Sequence, residues 1–127
     1  MSVTLTEQAV AERRKTETRR LGWLTLKPGD HLQLCRKVMG RKRADGTVEP
    51  LVRVAMVEVT DVRRERLDAI TDEAVEREGF EPGDLTAWDD RPPHTVGPSG
   101  CFVRFFTASM RCEPTTEVTV ITWRYLD

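Results

Sequence analysis

Apolar and polar positions change period several times along the chain, and each change marks an element. Val3-Thr4-Leu5 alternates in the manner of a short strand, and Thr6 stands where it would cap a helix carrying Ala9 and Val10. That helix is expected to end near Lys15, which leaves Lys15-Thr16-Glu17-Thr18-Arg19-Arg20 in a loop or extended piece just behind it. Lys27-Pro28-Gly29-Asp30 is a turn signal, and His31-Leu32-Gln33-Leu34-Cys35 alternates as a half-buried strand. A loop over 37–50 carries Arg41, Lys42 and Arg43 ahead of an Asp45-Gly46 hairpin tip. Val52, Val54, Met56 and Val59 predict a long central strand from Leu51 to Val62.

The pattern then turns helical. Thr71 or Asp72 can cap a segment whose early acids Asp72, Glu73 and Glu76 suit the positive end of the helix dipole. Gly79 supplies a left-handed stop, so Glu78 is the last helical residue. The Pro-, Gly- and Asp-rich stretch 81–99, with Trp88 and His94, is expected to be irregular. Cys101, Phe102, Phe105, Phe106 and Ser109 recur at helical spacing and predict a core-packed helix from Gly100 to Met110, with Cys101 facing inward. Alternation from Glu117 to Leu126 predicts a last strand in which Trp123 packs. With 127 residues, 39% of them apolar, a single domain spanning 1–127 is expected.

Composition narrows the classes. No apolar run approaches the length of a membrane span, and the first residues lack the order of a secretion signal, so a cytoplasmic protein without a membrane partner is expected. Cys35, Cys101 and Cys112 are odd in number and widely spaced, and His31 and His94 have no ligand-spaced neighbour. Reduced thiols, no metal, no cofactor and a monomer are therefore the expectation. Net charge is −1, yet residues 1–43 hold 11 Lys and Arg against 4 acids and the remainder holds 9 against 17. Such asymmetry can give a basic face that meets phosphates, or the charges can interleave in space and cancel.

The segment from Lys15 to Arg20, set against Glu78-Gly79-Phe80, combines an ammonium, hydroxyls, guanidinium groups and a carboxylate. That set suits either gripping a nucleotide or hydrolysing one. A threonine hydroxyl is a weak nucleophile and needs a base, and a lysine serves as one only where burial or another cation lowers its pKa. Lys15 and Thr18 share a side only if their segment is turned, since a flat strand would oppose them. Lys15 and Glu78 also fit a partly exposed ion pair of purely structural value. Arg19 and Arg20 can hold a phosphate or stand as solvated charges. Trp23 is close enough to stack on a base, and Arg41, Lys42 and Arg43 could meet a nucleic-acid backbone; packing and solvation are the plain alternatives.

In order and spacing, Lys15–Arg20, Lys27-Pro28-Gly29-Asp30, Val57–Val62, Leu67–Ala74, Glu78-Gly79-Phe80 and Val120–Leu126 resemble the ASCH domain family of the PUA-like superfamily. The resemblance runs through most of the chain and is weakest over 81–100 and the basic loop. It implies an α+β fold built on a small, partly closed β-barrel with flanking helices and a cleft beside it. It further implies binding of RNA or of a modified base, and, as in some small members, hydrolysis of acetylcytidine nucleosides. By that resemblance Thr18 is the nucleophile, Lys15 its activating base and Glu78 a proton shuttle; on their own chemistry, Thr16, Arg19, Arg20, Trp23, Arg41, Lys42 and Arg43 are the candidates to contact substrate or nucleic acid. The sequence thus leads to recognition of RNA, DNA or a modified nucleoside. An amidohydrolase of N4-acylated cytidine is the first alternative, and a protein-interaction adaptor using the basic loop is the second.

Overall fold

A computed structural model describes residues 1–36, 44, 46, 52–81, 84–85 and 97–127. In chain order it contains a 3₁₀ turn (Thr4–Thr6), α1 (Glu7–Ala11), β1 (Glu17–Arg20), β2 (His31–Cys35) and β3 (Arg53–Arg66). A second 3₁₀ turn (Leu67–Ala69), α2 (Asp72–Arg77), α3 (Pro98–Met110) and β4 (Glu117–Tyr125) follow. The four strands form one antiparallel sheet in the order β1-β4-β3-β2.

β4 is a central strand covered on both faces, so its burial is nearly continuous rather than alternating. Val118 and Val120 face a core made with Leu67, Ile70, Val75, Phe102 and Phe106 from the α2 and α3 side. Ile121 and Trp123 face a second core with Val3, Val10, Leu34, Ala55, Val57 and Val59. β3 changes register between Val59 and Asp61, beyond which its residues are mostly exposed.

Two expectations are corrected. Val3–Leu5 does not form a strand: Thr6 N–H donates to Val3 C=O at 3.0 Å to close a 3₁₀ turn, and the Leu5 side chain points outward, 76% exposed. Alternation alone misled because only Val3 of the three reaches a core. The small β-barrel is also not present. The sheet is open, since β1 and β2 lie at opposite edges with β4 and β3 between them. Among the described residues the outer side of β2 meets residues 1–3, with Val3 N–H donating to Cys35 C=O and Cys35 N–H to Met1 C=O, both at 2.8 Å, and the 3₁₀ turn that follows leaves no strand there to join the edges.

α2 runs one residue shorter than expected, with Glu78 as its C-cap. Thr71 Oγ1 accepts from the Ala74 N–H at 3.2 Å, and Gly79 leaves the helix at φ +99. α3 begins at Pro98, which fits the first turn of a helix because its missing N–H would have no partner there. The basic triplet Arg41, Lys42 and Arg43, together with Trp88 and His94, lies outside the described residues.

Candidate functional site

Four local devices place Lys15 against Glu78. After α1 the chain reverses at Arg13, φ +65, and the Lys15 N–H donates to Ala9 C=O at 3.2 Å. The next amide, Thr16 N–H, donates to Arg77 C=O at 2.9 Å and fastens the start of β1 to the end of α2. From β4, Trp123 Nε1 donates to Lys15 C=O at 3.1 Å, and the Tyr125 hydroxyl donates to the same oxygen. Gly79 lets the two segments touch, because a Cβ there would lie 2.8 Å from Ala9 Cβ and 3.1 Å from Lys15 Cβ.

The result is a buried charge cluster. Lys15 Nζ donates to the Glu78 carboxylate at 3.2 Å and, more closely, to the Glu78 backbone carbonyl at 2.6 Å. Arg19 Nη1 meets Glu17 at 2.6 Å and Glu78 at 3.2 Å, while its Nη2 meets Glu65 at 2.9 Å. Lys15, Glu17 and Glu78 are each 3% exposed and Arg19 4%. The partly exposed structural pair that the sequence allowed is therefore a buried one. Burial holds the Lys15 ammonium below the ordinary lysine range, against the opposing pull of Glu78. For Arg19 burial also disfavours the charge, but Glu17, Glu78 and Glu65 together outweigh it and raise its pKa. Arg20 is lowered by burial, with Glu78 opposing.

Part of this cluster borders a cleft of about 200 Å³. Lys15, Thr18, Arg19, Arg20 and Glu78 all line it, so the turn preceding β1 resolves the geometric question left open by their spacing. Phe80 and, from α3, Phe102, Phe105, Phe106 and Met110 also line the cleft, as do residues 2–6. Phe80 packs edge-on to Phe102 and Phe105, with ring centroids 5.8 and 6.1 Å apart. Thr18 Oγ1 is 3.2 Å from Arg20 Nε, which donates to it, and Arg20 Nη2 donates to Ser2 C=O at 2.7 Å.

Other expected site residues lie elsewhere. Thr16 does not line the cleft; its backbone joins β4 and α2. Trp23 is 39% exposed in the β1–β2 connection and is also absent from the lining. Arg41, Lys42 and Arg43 fall outside the described residues. Sequence reasoning missed Glu17 and Glu65 as the partners of Arg19, and it assigned the α3 phenylalanines wholly to the core. Among the described residues no group of three His, Cys, Asp or Glu side chains is placed to hold a metal ion, and no helix is long and apolar enough to cross a membrane.

No protein-family model matches the chain, and no curated protein matches it in sequence. Its fold is similar to that of a protein from Enterococcus faecalis V583 described by the family model DUF984, with 13% identity and a TM-score of 0.58 over 98% of this chain and 71% of that one. It is equally similar to an ASCH domain from Lactobacillus crispatus JV V101, with 13% identity and a TM-score of 0.58 over 95% of this chain and 70% of that one. At this identity the likeness is one of fold, and it includes a member of the family that the sequence motifs resemble.

Proposed function

We propose that the cleft binds a nucleobase, as part of a free or modified pyrimidine nucleoside. The observation that carries this reading is a cleft of about 200 Å³ lined both by phenylalanines and by buried polar side chains. That volume is below the roughly 300–1,000 Å³ of clefts that engulf drug-sized ligands, and it suits one base. Aromatic faces stack on any base, while the polar side chains supply donors and acceptors for its edge. A phosphate fits less well, because Glu17, Glu65 and Glu78 surround the Arg19 guanidinium and occupy both of its Nη atoms. The similarity in fold to an ASCH domain is consistent with a nucleoside-related role.

Titration calorimetry with cytidine and N4-acetylcytidine tests this proposal. Saturable binding of either is expected, and Phe105→Ala should weaken it by about 1–3 kcal/mol, the usual contribution of one base–aromatic stack. Absence of binding by both nucleosides, and by short RNA, would defeat the reading.

A second reading, hydrolysis of the acyl group from N4-acylated cytidine, is favoured by the lowered pKa of Lys15 in the same cleft as a threonine hydroxyl. In that reading the neutral Lys15 amine takes the Thr18 proton as the oxygen attacks the acyl carbon. The C–N bond breaks, Glu78 relays a proton to the departing exocyclic amine, and water releases the acyl group from Thr18. The Thr18 hydroxyl accepts from Arg20 Nε, so this mechanism requires it to turn toward Lys15 when substrate binds. The neutral fraction of Lys15 grows as pH rises through a value below the ordinary 10.5, so turnover should climb with pH in that window. Thr18→Val and Lys15→Met should each abolish it. Turnover that survives Thr18→Val would exclude this mechanism.

A further inference from the structure

The cleft straddles the outer edge of β1. Residues 2–6 approach it from the face that carries Val3, Ile121 and Trp123, and the α3 phenylalanines approach from the face that carries Val118 and Val120. β1 is an edge strand, so half of its backbone groups are turned away from the sheet. Register decides which half. Trp123 N–H donates to Thr16 C=O at 3.1 Å, and Glu17 pairs with Thr122. In an antiparallel ladder hydrogen-bonded and non-bonded pairs alternate. Thr18 and Arg20 therefore bond to Ile121 and Thr119, whereas the N–H and C=O of Glu17 and Arg19 point outward.

Of those two residues only Arg19 lines the cleft. Its outward N–H and C=O lie side by side, as a strand presents them to a neighbour, and so form one donor next to one acceptor. A second observation marks the same residue: the Nε of its buried guanidinium has no hydrogen-bond partner among the described residues. A buried N–H without a partner is destabilising, and a ligand acceptor that reached it would recover that loss.

We infer that the free edge of β1 reads the hydrogen-bonding edge of the bound base, with Arg19 N–H donating to a ring acceptor and Arg19 C=O accepting from the adjacent N–H. This inference rests on the base-binding reading above and specifies how the base is recognised. The ligand class it selects is a planar heterocycle with a donor and an acceptor on neighbouring atoms, as at N3 and the exocyclic nitrogen of cytosine. An added peptide strand fits less well. It would need a run of outward groups, and β1 has four residues with a single outward pair inside a cleft of about 200 Å³.

Amide hydrogen exchange followed by NMR tests the assignment on the intact protein. Without ligand, the Thr18 and Arg20 amides should exchange slowly and the Arg19 amide fast. Saturating cytidine should slow Arg19 by at least about tenfold, as expected for an amide that gains a hydrogen bond, while Thr18 and Arg20 hold their rates. If cytidine shifts the cleft resonances but leaves Arg19 exchange unchanged, the edge assignment fails and base binding stands. If neither cytidine nor N4-acetylcytidine perturbs any cleft resonance, both fail together. Equal protection of Arg19 by a blocked dipeptide would show that the edge takes a peptide, and would overturn the heterocycle assignment.

Discussion

Glu78→Ala is expected to lower folding stability by about 3–5 kcal/mol, the loss typical of removing one member of a buried ion pair. The carboxylate neutralises two cations at once, Lys15 at 3.2 Å and Arg19 at 3.2 Å, and both are almost wholly buried. Lys15→Met should cost clearly less. It removes a group that burial already disfavours as a cation, and it leaves Glu78 paired with Arg19. Urea unfolding of both single variants and of the double variant measures the coupling between the two positions. A Glu78→Ala protein as stable as the parent would mean that the carboxylate is not the counter-charge of this cluster.

Gly79→Ala is expected to cost about 2–4 kcal/mol, combining the strain of a left-handed backbone with overpacking of a tight contact. Both contributions act at one point. The residue sits at φ +99, and its new Cβ would press on Ala9 Cβ at 2.8 Å and Lys15 Cβ at 3.1 Å. Neither neighbour can yield as a flexible side-chain tip would, since both atoms are fixed to the backbone. Relief therefore requires α1 and α2 to separate, which shifts Lys15 relative to the Glu78 carbonyl that it contacts at 2.6 Å. The same variant should thus weaken nucleoside binding beyond what its stability loss explains. Thermal unfolding and calorimetry on one preparation separate the two effects, and unchanged stability would refute the close-approach account.

Lys15, Thr18 and Glu78 were grouped through the family resemblance, because no local signal encodes a meeting across 63 residues; local signals gave only the nearness of three of the lining residues and the end of α2. Arg19 and Thr18 follow Lys15 within one short segment, and the Gly79 stop fixes where Glu78 leaves its helix. The ring of carboxylates around Arg19 was not legible. Glu65 reaches it from β3 across β4, so that contact depends on a strand order that spacing along the chain does not encode. Helical periodicity likewise located α3 but could not divide its phenylalanines between core and cleft, because Phe102 and Phe106 serve both. The barrel inferred from resemblance was not met: the sheet is open, with β1 and β2 at its two edges and residues 1–3 bonded along β2 before the chain closes into a 3₁₀ turn.

The grip of Trp123 and Tyr125 on the Lys15 carbonyl joins positions 108 and 110 residues apart. During synthesis the lysine emerges before β4, and although its own N–H and that of Thr16 can already bond to Ala9 and Arg77, its carbonyl gains these two donors only when β4 leaves the ribosome. Ligand recognition should therefore appear abruptly and late in translation, and nascent chains stalled ahead of β4 should be unable to capture a nucleoside even with every cleft-lining side chain already made.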